Sequence, residues 1–182
     1  MRILSSVPGS VLWLLTRFSA AENNLRREAE ARGISGDRLI FAEYHPKAEH
    51  LARHRLADLF LDTLYCNAHT TACDALWAEL PVLTCLGKTF ANRVAASLLT
   101  AISLPELITT NLEQYEQLAI HLAHSPTQLQ QLKQKLAQNR TTYPLFDTPR
   151  FTRNLEQAYR AMWEIYAAGK SPQAINVSDI GA

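Results

Sequence analysis

The sequence predicts an α/β fold: a doubly wound, Rossmann-like parallel sheet followed by a helical carboxyl-terminal extension. Three observations carry that expectation. Four short apolar runs of strand length occur between residues 11 and 84, and helix-like segments separate them, the mark of parallel βαβ units. Beyond residue 111 the strand-like runs stop, and apolar residues recur only at helical spacing. Apolar residues make up 47% of the 182, enough for a core and too many for disorder.

The elements follow in order. Val11 to Leu15 is a continuous apolar run, consistent with a strand covered on both faces. Residues 20–32, with Leu25 and Ala29 among charged neighbours, form an amphipathic helix closed by Gly33. Arg38-Leu39-Ile40-Phe41 is the second strand, and Pro46 suits the first turn of a short helix. Residues 59–62 make the third strand. A helix over 71–79 follows, with Ala75, Leu76 and Trp77 on its inner side. Val82-Leu83-Thr84 is the fourth strand, and Gly87 turns the chain into a helix over 90–101. Helices over 111–123, 126–139 and 150–167 complete the pattern, and Leu129, Leu132 and Leu136 read as core packing. The expected organisation is an α/β unit over 1–110, its helical extension over 111–168, and a loose tail over 169–182.

Composition excludes several functions. A net charge of +1, from 18 basic and 17 acidic residues, leaves no electrostatic footprint for nucleic acid or an anionic membrane. No run approaches the roughly 20 apolar residues of a membrane span. The apolar start faintly imitates a signal peptide, but Pro8-Gly9 and Arg17 interrupt it. Cys66, Cys73 and Cys85 are odd in number and lack C-x-x-C spacing, so they read as reduced thiols of a cytoplasmic protein.

The candidate site is local. Residues 63–69 form a loop at the carboxyl end of the third strand, where open α/β sheets bind ligands. The helix that follows offers free N–H groups and a positive dipole end, which suit a phosphate. Thr70 and Thr71 add hydroxyl donors there, and one of them could equally cap the helix. Asp74 lies one turn on from Thr70 and could accept from sugar hydroxyls, or simply favour the dipole. His69 could donate to phosphate or bond a neighbouring carbonyl. His45, His50 and His54 have no carboxylate or thiolate at metal-site spacing, so no metal is expected. Neither a G-x-S-x-G elbow nor a Walker or dinucleotide fingerprint occurs.

Asn67, His69-Thr70-Thr71, Asp74-Ala75-Leu76-Trp77-Ala78, Pro81-Val82 and Arg93 to Leu99 give the chain its family likeness. In this order they resemble the catalytic carboxyl-terminal half of the O-linked N-acetylglucosamine transferases, protein O-glycosyltransferases that carry tetratricopeptide repeats. The resemblance runs from about Val7 to about Gly169. It implies the donor-binding half of a two-domain, GT-B, inverting glycosyltransferase. The intact enzyme would move N-acetylglucosamine from UDP-GlcNAc to serine or threonine hydroxyls of an acceptor protein, with no cofactor and no essential metal. It implies that Thr70 and Thr71 hold the diphosphate, that Asp74 contacts ribose, that Lys47 contacts the nucleotide and that His50 stacks on it. It assigns no catalytic residue to this chain. The amino-terminal catalytic half, the repeat array, and the first strand with its glutamine and lysine are expected in a longer protein. Activity of this fragment alone is not expected. Three positions depart from the family: Ala68 stands for glycine, Lys88 for an acidic residue and Asn92 for the frequent serine. At a positive φ, Ala68 would be strained by about 1 kcal/mol. The competing expectation is a non-catalytic protein-interaction module derived from this fold.

Overall fold

The computed structural model describes residues 1–178, and the end of the tail lies outside them. It is α/β, with helices flanking parallel strands. The order is α1 (Arg2–Ser6), β1 (Leu12–Leu15), α2 (Ser19–Glu30), β2 (Leu39–Ala42), α3 (Lys47–Arg53), β3 (Phe60–Leu61) and α4 (Thr70–Trp77). There follow β4 (Val82–Cys85), α5 (Val94–Ala101), β5 (Ile108–Thr109), α6 (Leu112–His124), α7 (Pro126–Thr142) and α8 (Thr148–Ala167). The four expected strands are present. A fifth, β5, was not foreseen, because two residues between a 3-10 turn and a helix carry no periodic signal.

The strands form two parallel sheets rather than one. β1 pairs with β2, and β4 pairs with β3 on one side and β5 on the other. The edge of β1 away from β2 and the edge of β3 away from β4 make no ladder among the described residues. β1 was expected to be covered on both faces, but Leu15 is 53% exposed, and Val11, just before the strand, is 56% exposed.

The main core lies between β4 and helices α4 to α7. Leu76, Val82, Leu99, Ile102, Leu104, Leu107, Leu122 and Leu136 are fully buried there. Leu132 and Leu136 bear out the packing expected of α7, with Leu129 half-buried. A smaller cluster of Leu4, Ala29, Ile34 and Leu39 seats α1 and α2 on the β1–β2 sheet. Gly33, at φ +75, ends the α2 region as expected.

On α4, Ala75 and Leu76 face the core, but Trp77 does not: it is 49% exposed. One residue beyond Leu76 the helix has turned by about 100°. Trp77 lies edge-on to Phe146 at 5.2 Å, with the Arg140 guanidinium 5.0 Å from its ring centroid. Arg140 also donates to the Trp77 carbonyl at 2.7 Å and pairs with Glu79 at 3.0 Å, so it closes the end of α4.

After α5, Ser103 takes φ 57 in the left-handed region. The Leu104 N–H donates to the Leu99 carbonyl at 2.8 Å, and Ser103 N–H to Thr100 at 3.1 Å, the double bond of a Schellman end. Glycine has no Cβ penalty there. Ser103→Gly therefore raises stability by about 0.5–1 kcal/mol, measured by urea unfolding.

α8 is turned inside out. Its twenty residues include none that is buried. Phe151, Leu155, Tyr159, Met162, Trp163 and Tyr166 occupy about a third of its circumference at 3.6 residues per turn, and each is 37% to 74% exposed. Such an arc is characteristic of a contact face.

Candidate functional site

The loop after β3 runs from Asp62 to His69 and delivers the chain into α4. His69 is the N-cap, and its side chain makes no capping bond. Neither threonine caps the helix. Thr70 and Thr71 are its first two residues, both exposed, and neither hydroxyl has a hydrogen-bond partner among the described residues. The amino end of α4 is thus open, with donors free for an anion.

Ala68 lies outside the left-handed region, where only Glu79 and Ser103 are found among non-glycine residues described. The condition under which alanine would be strained at this position is therefore not met. The Ala68 N–H instead donates to Asp62 Oδ1 at 2.6 Å.

Asp74, one turn into α4, pairs through Oδ2 with Lys47 Nζ at the start of α3. The carboxylate is largely covered, and the lysine is mostly exposed. Pro46 is the N-cap of α3 rather than part of its first turn. His50 lies one turn from Lys47 and is half-buried. Its ring meets that of His54 edge-on at 4.6 Å, and its Nδ1 accepts from Arg53 at 2.7 Å. Burial first, then the neighbouring His54 and Arg53, push the His50 imidazole below its ordinary value, which favours the neutral form. A neutral flat ring is suited to lie on a base.

His69 packs against the segment that follows β4. Its Nε2 lies 3.3 Å from the Ala91 carbonyl, and its ring meets Phe90 edge-on at 6.1 Å. The structure thus joins Lys47, His50 and Asp74 across α3 and α4 and leaves Thr70 and Thr71 open beside them. It gives His69 a loop-holding contact. Lys88 is exposed, and Arg93 reaches the Gly87 carbonyl at 3.4 Å. A cavity of about 270 Å³ lies at the opposite end of α4, lined by Ala78, Glu79, His54, Lys133 and Gln134 among others.

Residue types and spacing did not reveal the frame beneath this site. Asp62 is 5% exposed, and burial pushes its carboxyl up against three hydrogen bonds that favour the ionised form. Asn67, 4% exposed, donates from its backbone to Ala91 at 2.8 Å and from Nδ2 to Thr63 at 2.8 Å. A charged residue ending an apolar strand was the one signal available for Asp62.

The chain is similar to known proteins in sequence and in fold. The family described as glycosyl transferase family 41 matches residues 1–155. A probable UDP-N-acetylglucosamine–peptide N-acetylglucosaminyltransferase SEC of Arabidopsis thaliana is 44% identical over 96% of this chain. The UDP-N-acetylglucosamine–peptide N-acetylglucosaminyltransferase of Caenorhabditis elegans is 36% identical over 93% of it. The chain spans only 18% and 15% of those two relatives. A solved mutant of the Thermobaculum terrenum O-GlcNAc transferase superposes with a TM-score of 0.83 at 32% identity, over 89% of this chain and 32% of that one.

Proposed function

This chain belongs to glycosyl transferase family 41, and from that premise we propose that it is the donor-binding half of an inverting protein O-GlcNAc transferase. The observation that carries the proposal is the open amino end of α4. Two unpartnered hydroxyls and free backbone N–H groups sit there, one turn from the Lys47–Asp74 pair and beside α3 with His50.

The chemistry assigned to these groups is electrostatic. The diphosphate of a UDP-sugar rests on Thr70, Thr71 and the helix dipole. As the glycosidic bond breaks, these donors meet the charge that develops on departing UDP, as an oxyanion hole would. Asp74 accepts from the ribose, Lys47 contacts the nucleotide, and His50 lies on the base. His69 holds the loop through Ala91 and is assigned to the phosphate as a further donor. The diphosphate is held without an essential metal. No side chain of this chain is assigned as general base for the acceptor hydroxyl, a serine or threonine of a protein.

The remaining parts are assigned to a longer protein: the acceptor half, a central strand between β1 and β3, and a tetratricopeptide array. Support comes from the unpaired sheet edges, from the outward apolar face of α8, and from the small share of each relative that this chain spans. In this scheme 1–110 is the nucleotide-sugar-binding unit and 111–168 its helical extension, in a cytoplasmic protein.

Two hydrogen bonds to a charged group, at about 1.5–3 kcal/mol each, correspond to roughly millimolar to high-micromolar UDP binding. Calorimetric titration with UDP, repeated with EDTA, therefore gives weak, metal-independent binding by the 182-residue chain. A peptide-acceptor assay gives no transfer. Failure to bind UDP at millimolar concentration overturns the donor assignment, and measurable transfer overturns the need for a second half.

A further inference from the structure

We propose that Asp62 is a positioning residue of the donor site: its carboxylate shapes the loop that presents Thr70 and Thr71. This rests on the donor assignment made above.

Every polar group of Asp62 is engaged. Oδ1 accepts from Thr63 N–H at 2.9 Å and from Ala68 N–H at 2.6 Å. Oδ2 accepts from the Thr84 hydroxyl at 2.6 Å. The Asp62 N–H donates to the Leu83 carbonyl at 3.0 Å, and its own carbonyl accepts from the Tyr115 hydroxyl at 3.0 Å. The residue therefore ties together the end of β3, strand β4, helix α6 and both ends of the loop.

The position of the Ala68 bond matters. Ala68 stands two residues before Thr70, so this bond sets where the chain enters α4. One carboxylate oxygen gathers the first and the penultimate N–H of the 63–69 segment and closes it into a ring. Asn67 supplies the other tie, through Ala91 and Thr63. With the acceptor gone, two N–H groups lose their partner, and the approach to Thr70 is held from one side only.

Simple strand stability does not call for a carboxylate here. Burying one carries a desolvation cost that a neutral residue of similar shape avoids. What the carboxylate adds is capacity: two oxygens can take three donors from three directions, which a hydroxyl cannot. Asparagine keeps one carbonyl oxygen for the two loop N–H groups and can donate its amide to Thr84. It is therefore the conservative rescue.

The test compares wild type, Asp62→Ala and Asp62→Asn by UDP titration and by amide hydrogen exchange. In wild type the Ala68 amide is protected, although it lies in a loop. In Asp62→Ala, exchange across 63–71 accelerates and UDP affinity falls, each at least about tenfold, while the β4 amides keep their protection. Asp62→Asn stays within about threefold of wild type in both readouts. Three results overturn the proposal: an unprotected Ala68 amide in wild type, unchanged affinity and exchange in folded Asp62→Ala, or a loss in Asp62→Asn as large as that in Asp62→Ala. Should Asp62→Ala not fold, the wild-type amide and the asparagine variant still decide. If wild type binds no UDP, the donor assignment fails. The exchange data then still report whether Asp62 holds the loop.

Discussion

Replacing Thr70 and Thr71 together by valine abolishes stabilisation of the chain by UDP. Both side chains are exposed and neither hydroxyl has a partner among the described residues, so the fold loses nothing it was using. Valine matches threonine in shape, and in the first helical turn it costs only a few tenths of a kcal/mol. Binding is different. Each hydroxyl facing a diphosphate oxygen contributes about 1.5–3 kcal/mol, so the double variant loses at least about a hundredfold in affinity. Thermal shift with and without UDP reads this directly. The unliganded melting temperature stays within a degree or two of wild type, because surface changes are usually worth less than about 0.5 kcal/mol. An undiminished UDP shift in the double variant would place the phosphates elsewhere.

The second large effect is on stability. Leu76→Ala costs about 2–5 kcal/mol, the range for emptying a fully buried leucine site. Leu76 has no exposed surface and belongs to the cluster that joins α4 to β4, α5 and α7. For a chain of this length the melting temperature falls on the order of 10 °C. Trp77→Ala, next in sequence, costs less despite its size, since half of that side chain already meets water. The ordering matters because α4 is also the helix to which the phosphates are assigned under the proposed function. A variant that loosens its inner face lowers UDP affinity indirectly, whereas Thr70 and Thr71 act with the fold intact. Chemical unfolding of both variants separates the two routes; equal losses at Leu76 and Trp77 would contradict the assigned orientation of the helix.

Legibility follows locality. Residues 69–74 could be read as a site because one loop-to-helix junction carries the N–H groups, two hydroxyls and a carboxylate within a single turn. β1 to β4 were visible because each needs a run of apolar side chains. β5 was not, since two residues cannot show a period. Trp77 was misplaced because a three-residue apolar run spans more of a helix than its inner face does.

His69 and Asp62 show the same limit at the site itself. Whether His69 faces a phosphate or a carbonyl depends on Ala91, twenty-two residues away. Whether Asp62 is a strand end or the anchor of a loop depends on Thr84 and on how the chain returns at Ala68. Departures from the family pattern were equally undecided on paper: alanine at 68 matters only if φ there is positive, and it is not.

Periodicity and residue chemistry alone determined that this chain alternates strands with helices, ends in helices, and opens one helix on a pair of threonines. Those are properties of neighbours along the backbone, and covalent order sets them. Only the tertiary structure decided that Lys47 meets Asp74, that Asp62 gathers the loop, that the sheet divides at β1 and β3, and that α8 turns its apolar face outward. Each of these depends on groups distant in sequence competing for the same space and the same hydrogen bonds, and chain order does not record the outcome of that competition.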